Sequence, residues 1–288
     1  MQTLDTWRQL PSPPTRDGHN FTETKICTWN SDAWLFFGLH YVLKFDMILK
    51  RWKYVETKLG SDEPWPYDTI IKGYCAEIFE GVLHIFGGIA SFGSRGSNLH
   101  MALDLRRLLW TRLGGTNNSK VVTKGMPPSR HSAASWVARE ERRMFVLYGS
   151  AGTPALPNSS SGTEYQYDDM WSYSFDERVW RRERLRGNFP SPRANMASVY
   201  DAKLQHVIIF GGINLRIPTV DARHSNFLHC QATLADTFVL DLKTRVWRHV
   251  ITANFPHHRF DARAFVDEST GKIYLYGGEC KFEFFCIL

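Results

Sequence analysis

The chain has 288 residues, 35 Lys+Arg against 29 Asp+Glu for a formal net charge of +6, and 14% aromatic residues. That length admits one large core or two smaller ones, the aromatic content favours strands, and the mild basic surplus suits acidic partners without the concentrated charge of a polyanion binder. No stretch approaches 18 uncharged apolar residues, which excludes an ordinary helical membrane span. The five cysteines, Cys27, Cys75, Cys230, Cys280 and Cys286, are odd in number and scattered, the pattern of reduced thiols in the cytoplasm or nucleus rather than of a disulfide framework.

In chain order, MQTLDTWRQLPSPP opens the sequence without the basic start and apolar run of a secretory signal. Within it, LDTWRQL at 4–10 reads as a strand centred on Trp. A Pro turn with Arg16, PPTRDGH at 13–19, then leads to WLFFGLHYVLKFDMILKRWKYVE at 34–56, with Gly38 between apolar strands and Trp52 six positions after Asp46. PWPYDTI at 64–70 opens a second unit, with LHIFGGIA at 83–90, Asp104 and Trp110. PPSRHSA at 127–133 opens a third, with FVLYGSAG at 145–152, and here Asp176 precedes Trp180 by four. PSPRANM at 190–196 opens a fourth, with VIIFGGIN at 207–214, Asp241 and Trp247. FPHHRFDA at 255–262 and IYLYGGEC at 273–280 begin a fifth, where CKFEFFCIL offers a third strand but no Asp and Trp follow.

Each unit therefore reads as a Pro turn, a first strand, an apolar second strand ending on glycine, a variable loop, a third strand ending near Asp, and a fourth beginning at Trp. Four short strands without an amphipathic helix describe one blade of a propeller. The expected blades are 15–60, 64–115, 126–187, 188–252 and 255–288, the last completed by the N-terminal strand 4–10. Paired glycines permit a tight turn and close backbone approach near the axis, and the Trp residues form apolar plates between blades.

The pattern resembles the kelch repeat, the propeller family that includes the central domain of galactose oxidase. Gly87–Gly88, Gly149–Ser150, Gly211–Gly212 and Gly277–Gly278 carry the resemblance, with Trp52, Trp110, Trp180 and Trp247, and it covers nearly the whole chain. It implies an all-β propeller of four-stranded antiparallel blades, about five of them visible, fewer than the six or seven usual in the family. It implies a non-enzymatic scaffold that presents loops to a partner protein or peptide and needs no cofactor.

The loops at 89–98, 150–168 and 213–235 are the variable ones, and variable loops on a fixed frame mark a working face. Arg16, Arg130, Arg193 and Arg259 recur after the Pro turns and form an expected ring of bidentate donors at the channel mouth, suited to acidic groups. Arg95, Tyr165 and Arg216 on the loops complete the candidate partner-binding set. An architectural role competes: each recurrent Arg has an Asp within its own unit, such as Asp169 or Asp236, to pair with.

Other chemistries are poorly served. RVWRRERLRG at 178–187 is basic but sits on an expected outermost strand without interleaved stacking aromatics, so nucleic-acid binding is not expected. His224, His229, Cys230, His257 and His258 lack the paired spacing of a zinc site. The alternative function is a channel-mouth ligand binder or a copper-radical-oxidase-like enzyme, which needs a Cys beside a Tyr. Tyr74 and Cys75 are sequence neighbours on one strand and point to opposite faces.

Overall fold

Runs such as VIIF and LHIF are rich in β-branched and aromatic side chains that fit a pleated, half-buried surface, and the computed structural model places them in strands throughout. It describes residues 9–14, 24–36, 40–62, 64–66, 71–89, 96–118, 121–152, 164–215, 232–251 and 256–280. Among these residues there is no helix, and therefore none long and apolar enough to cross a membrane.

Blade one is β1 (Ile26–Trp29), β2 (Asp32–Phe36), β3 (Tyr41–Asp46) and β4 (Arg51–Glu56). Blade two has β6 (Cys75–Phe79), β7 (Val82–Phe86), β8 (His100–Asp104) and β9 (Leu109–Gly114), after the short connector strand β5 (Lys58–Leu59). Blade three is β10 (Ala134–Ala138), β11 (Arg143–Leu147), β14 (Met170–Ser174) and β15 (Val179–Glu183), with a ribbon of β12 (Ser150–Gly152) and β13 (Glu164–Gln166) in its loop. Blade four is β16 (Ala197–Asp201), β17 (His206–Phe210), β20 (Thr237–Asp241) and β21 (Val246–Val250), with a ribbon of β18 (Ile213–Asn214) and β19 (Ala232–Thr233). A fifth unit contributes β22 (Arg263–Asp267) and β23 (Lys272–Tyr276).

Within each blade the strands pair antiparallel in chain order, and the first strands stand side by side as β1, β6, β10, β16 and β22. The protein is a β-propeller of four complete blades plus a two-stranded unit. Residues 1–8, with most of the expected N-terminal strand, and 281–288 lie outside the described residues. Pro11 and Pro14 lie against the outer strand of blade one, where their carbonyls accept from Trp52 Nε1 and the Tyr54 hydroxyl, both at 2.8 Å.

The Asp-to-Trp spacing is the signature of one hairpin. Asp46, Asp104 and Asp241 end their third strands, and each Oδ1 accepts two successive backbone N–H groups of the turn, an Asx-type geometry that sets the hairpin. Blade three corrects the sequence reading: Ser174, not Asp176, occupies this position, six residues before Trp180, and its Oγ accepts from Glu177 N at 3.2 Å. Asp176 instead takes the Arg142 guanidinium at 2.9 Å. The glycine doublet of this blade is also shifted by one. Tyr148–Gly149, not Gly149–Ser150, matches Gly87–Gly88 and Gly211–Gly212, because Tyr148 N donates to Asp169 O as Gly87 N does to Leu99 O and Gly211 N to Asp236 O. Tyr148 holds φ at +57° without being glycine, anchored by its hydroxyl on Pro190 O at 2.6 Å.

The doublets join neighbouring blades. Gly88, Gly149 and Gly212 each donate N–H to the carbonyl of the recurrent Arg in the next blade, Arg130, Arg193 and Arg259, at 2.9, 3.1 and 2.9 Å. A Cβ at Gly87 would sit 2.5 Å from Arg130 O and one at Gly211 2.4 Å from Arg259 O, while both residues also hold positive φ; a side chain at either position would break the junction. Nearer the axis a second series runs from blade to blade: Ser132 N to Gly73 O (2.6 Å), Asn195 N to Ser132 O (2.9 Å) and Asp261 N to Asn195 O (2.9 Å).

Side chains fill the space between blades. Trp110 (0% exposed) lies in the cluster shared by blades one and two, Trp180 between two and three, and Trp247 (1%) between three and four. Trp52 differs: it is half-buried and lies within blade one beside Leu35 and Leu43.

Blades two and three also enclose a histidine pair, His84 Nδ1 and His100 Nε2 at 3.1 Å, packed among Tyr173, Phe175 and Trp180. Burial pushes His84 down to about 4 and His100 well below its usual value, the latter with help from His84. Both are neutral in the folded protein, whereas in the unfolded chain they titrate near 6.5. Below that pH the unfolded state binds more protons, so the stability supplied by the neutral pair is complete above pH ~6.5 and is lost as pH falls toward ~4. Thermal unfolding should show a melting temperature that drops over this window, and the His84→Leu/His100→Leu double variant should flatten the profile; an unchanged slope would refute the assignment.

Candidate interaction face and axial channel

Of the recurrent arginines, Arg130, Arg193 and Arg259 lie among the described residues, and two of these three are not displayed. The Arg130 and Arg193 side chains are fully buried. Arg130 meets both Asp169 oxygens, at 2.7 and 3.1 Å, donates to Tyr148 O, and stacks 4.2 Å from the Tyr167 ring centroid. Arg193 forks onto Asp236 at 2.5 and 3.0 Å and donates to Gly211 O. Burial works against the Asp169 carboxylate, yet Arg130 outweighs it and holds that group below the usual carboxylate range. The ring of guanidiniums expected at the mouth is thus corrected for these two: they fasten the second and third strands of their own blades. Arg259 is half-buried and makes backbone bonds to His257 O and Gly277 O. Arg16, Arg95 and Arg216 lie outside the described residues.

Blade two shows that the fastening is not obligatorily ionic. Ile71 stands at the Arg position and Leu99 at the Asp position, both buried in one apolar cluster.

Tyr165 is displayed, 43% exposed on β13, with its ring 5.0 Å edge-on to Tyr167. The ribbon that carries it is braced to the next blade by Gln166, whose amide donates to Ile213 O and accepts from Leu215 N, both at 2.8 Å. Gln166 itself is 2% exposed. The described bases of two insertions from adjacent blades are therefore joined on the face where the second strands end. Nothing repeated marks Gln166 in the sequence, so a reading by repeats passes over it.

The same face opens onto the axial channel, a cavity of about 390 Å³ lined from all five units, including Lys25, Tyr74, Ser135, Asn195, Asp261 and Arg263. Lys25 Nζ pairs with Glu77 and donates to Ser135 O and Oγ at 3.1 and 3.0 Å, while Ser135 Oγ donates to Glu77 Oε1 at 2.8 Å. A Ser beside a Lys is the outline of a nucleophile and base. Here, though burial opposes the charge, Glu77 prevails and holds the ammonium above its usual range, so Lys25 keeps its proton and does not activate Ser135. The signal in the sequence was Glu77, one acid inside the apolar strand CAEIF.

Cys27 and Cys75 are equally quiet. Desolvation pushes Cys27 up to about 12 and Cys75 up to about 11, and raises the Tyr74 phenol. Tyr74 donates to Phe36 O and Cys75 to Ala133 O, separate partners for the two neighbours. Among the described residues no group of three or more His, Cys, Asp or Glu is placed to hold a metal ion. No protein-family model matches the chain, and no curated protein matches it.

Proposed function

We propose that the chain is a non-enzymatic interaction scaffold of the kelch-like kind, which presents the Tyr165 face of blades three and four to a partner protein. The observation that carries this reading is the Gln166 brace: it ties the described bases of two insertions together beside an exposed Tyr, one of the side chains enriched among interface anchors. The repeat of Pro turn, glycine doublet and Trp supports the kelch likeness. The mutual pairing of Lys25, Glu77 and Ser135 supports a non-catalytic role for the channel. Cys27 and Cys75 as buried thiols fit a reducing compartment, the cytoplasm or nucleus.

Affinity purification with mass spectrometry should compare wild type, Tyr165→Ala/Gln166→Ala and, as an opposite-face control, Lys203→Ala. A specific partner should fall about tenfold or more in the double variant and persist in the control. Retention of the same partners by the double variant, at an unchanged melting temperature, would remove that face from consideration.

A further inference from the structure

The hairpins that join third and fourth strands share one geometry in all four blades. In blades one, two and four the Asp that ends the third strand accepts from the N–H groups of both tip residues: Ile48 and Leu49, Arg106 and Arg107, Lys243 and Thr244. The residue after the tip is left-handed in every blade, Lys50, Leu108, Arg178 and Arg245, with φ +52°, +57°, +58° and +59°. The tips therefore compare position for position. Blades two, three and four place Arg106–Arg107, Asp176–Glu177 and Lys243–Thr244 there, polar side chains throughout. Blade one alone has aliphatic residues, Ile48 and Leu49, 75% and 56% exposed.

The charge around this tip is one-sided. Lys50 and Arg51 follow it and are exposed, and Arg106 and Arg107 are exposed on the hairpin of the adjoining blade, with Arg106 5.7 Å from the ring centroid of Trp29 at the end of β1. The acids at this end are already engaged. Glu80 and Asp176 hold Arg142, Glu177 holds Arg181, Glu141 holds Arg245, and Asp32 holds Lys44, while Asp46 and Asp104 are turned onto the hairpin N–H groups. The ion pairs among the described residues leave Lys50, Arg51, Arg106 and Arg107 out. Every turn at this end of blades one to four is described.

We propose that the blade-one hairpin is a peripheral contact for an anionic membrane surface: Ile48 and Leu49 enter the headgroup layer, and Lys50, Arg51, Arg106 and Arg107 meet the lipid anions. Two aliphatic side chains at the crest of a turn, with cations beside them, supply the two terms on which interfacial binding depends, buried apolar area and attraction to acidic lipids. The Asp46 bonds hold the tip in place beforehand, so little ordering is lost on insertion. The net charge of +6 favours approach to such a surface. The contact lies at the end where the second strands begin, opposite the Gln166 brace, so a chain seated on a bilayer keeps its Tyr165 face toward solvent. It needs no spanning helix, and it stands apart from the partner proposed above.

The probes are phosphatidylcholine vesicles, alone and with about 30% phosphatidylserine, co-sedimented with the full chain. Binding to the anionic vesicles is expected, weakened about tenfold or more by about 0.5 M salt or by Arg106→Ala/Arg107→Ala. Ile48→Ser/Leu49→Ser should weaken it about fivefold or more at an unchanged melting temperature, since both side chains are exposed. Arg106→Lys/Arg107→Lys keeps the charge and should bind as wild type does. Lys243→Ala, on the blade-four hairpin, should change binding by about twofold at most. Equal binding to the two kinds of vesicle, binding to neither, or a serine variant that binds like wild type overturns the proposal. So does a loss in Lys243→Ala as large as that in Arg106→Ala/Arg107→Ala, which would assign the attraction to the charge of the whole face. A chain that ignores vesicles but sediments as a dimer, abolished by the serine variant, overturns it as well and gives the tip to a second copy.

Discussion

Arg130→Ala should destabilise the folded protein by about 3–5 kcal/mol, measured by urea or thermal unfolding. The guanidinium is fully buried and satisfies both Asp169 oxygens and Tyr148 O at once, so truncation strands a buried carboxylate with only Trp171 Nε1, at 2.7 Å, still donating to it. Breaking a buried pair from one side is expensive, whereas replacing both partners by apolar groups is often neutral. Blade two carries out that replacement naturally with Ile71 and Leu99. The double variant Arg130→Ile/Asp169→Leu should accordingly recover most of the stability lost in the single variant. In Arg130→Ala the remaining carboxylate is raised by burial, so its penalty relative to wild type should shrink on mild acidification, as protonation relieves the stranded charge. Wild-type stability in the single variant, or a double variant worse than the sum of the two singles, would show that the pair does not fasten the blade.

Trp110→Ala should also remove about 3–5 kcal/mol. The indole is wholly buried between blades one and two, edge-on to Phe36 at 5.4 Å, and donates to Thr57 Oγ1 at 3.0 Å. Thr57 precedes β5, which pairs parallel with β9 through Leu59 and Trp110, so the side chain fixes the connector as well as the packing. Trp110→Phe keeps most of the apolar contact and loses the hydrogen bond, and should lie well short of the alanine variant. Trp52→Ala, at a half-buried site, should be milder still. An unfolding midpoint for Trp110→Ala equal to that of wild type would contradict the role of the indole between blades.

The blade frame was legible because its landmarks answer to local stereochemistry. Gly87 and Gly211 stand where a neighbouring carbonyl leaves no room for Cβ, and Asp46, Asp104 and Asp241 stand where a turn needs an acceptor for two N–H groups. Blade three misled the reading where other residue types do the same work. Ser174 accepts in place of Asp, and Tyr148 adopts the left-handed backbone in place of glycine, so matching by letter slips the doublet one residue and shortens the Asp-to-Trp interval. Recurrence alone suited display as well as fastening for the arginines, and burial separates the two for Arg130 and Arg193. Gln166 has no counterpart in the other blades, so no period exposes it; its role arises from which elements the fold brings together.

The junctions between blades carry a last implication. The backbone N–H groups of Gly88, Gly149 and Gly212 reach the adjoining Arg carbonyl, and those of Ser132, Asn195 and Asp261 the carbonyl one blade earlier. Such links are written in main-chain atoms and are blind to how many members the circle has. From blade two to the fifth unit an extra leaf could repeat the same main-chain joint, whereas the contact of Lys25 with Ser135 across the channel would be lost, so the joint itself does not set ring size.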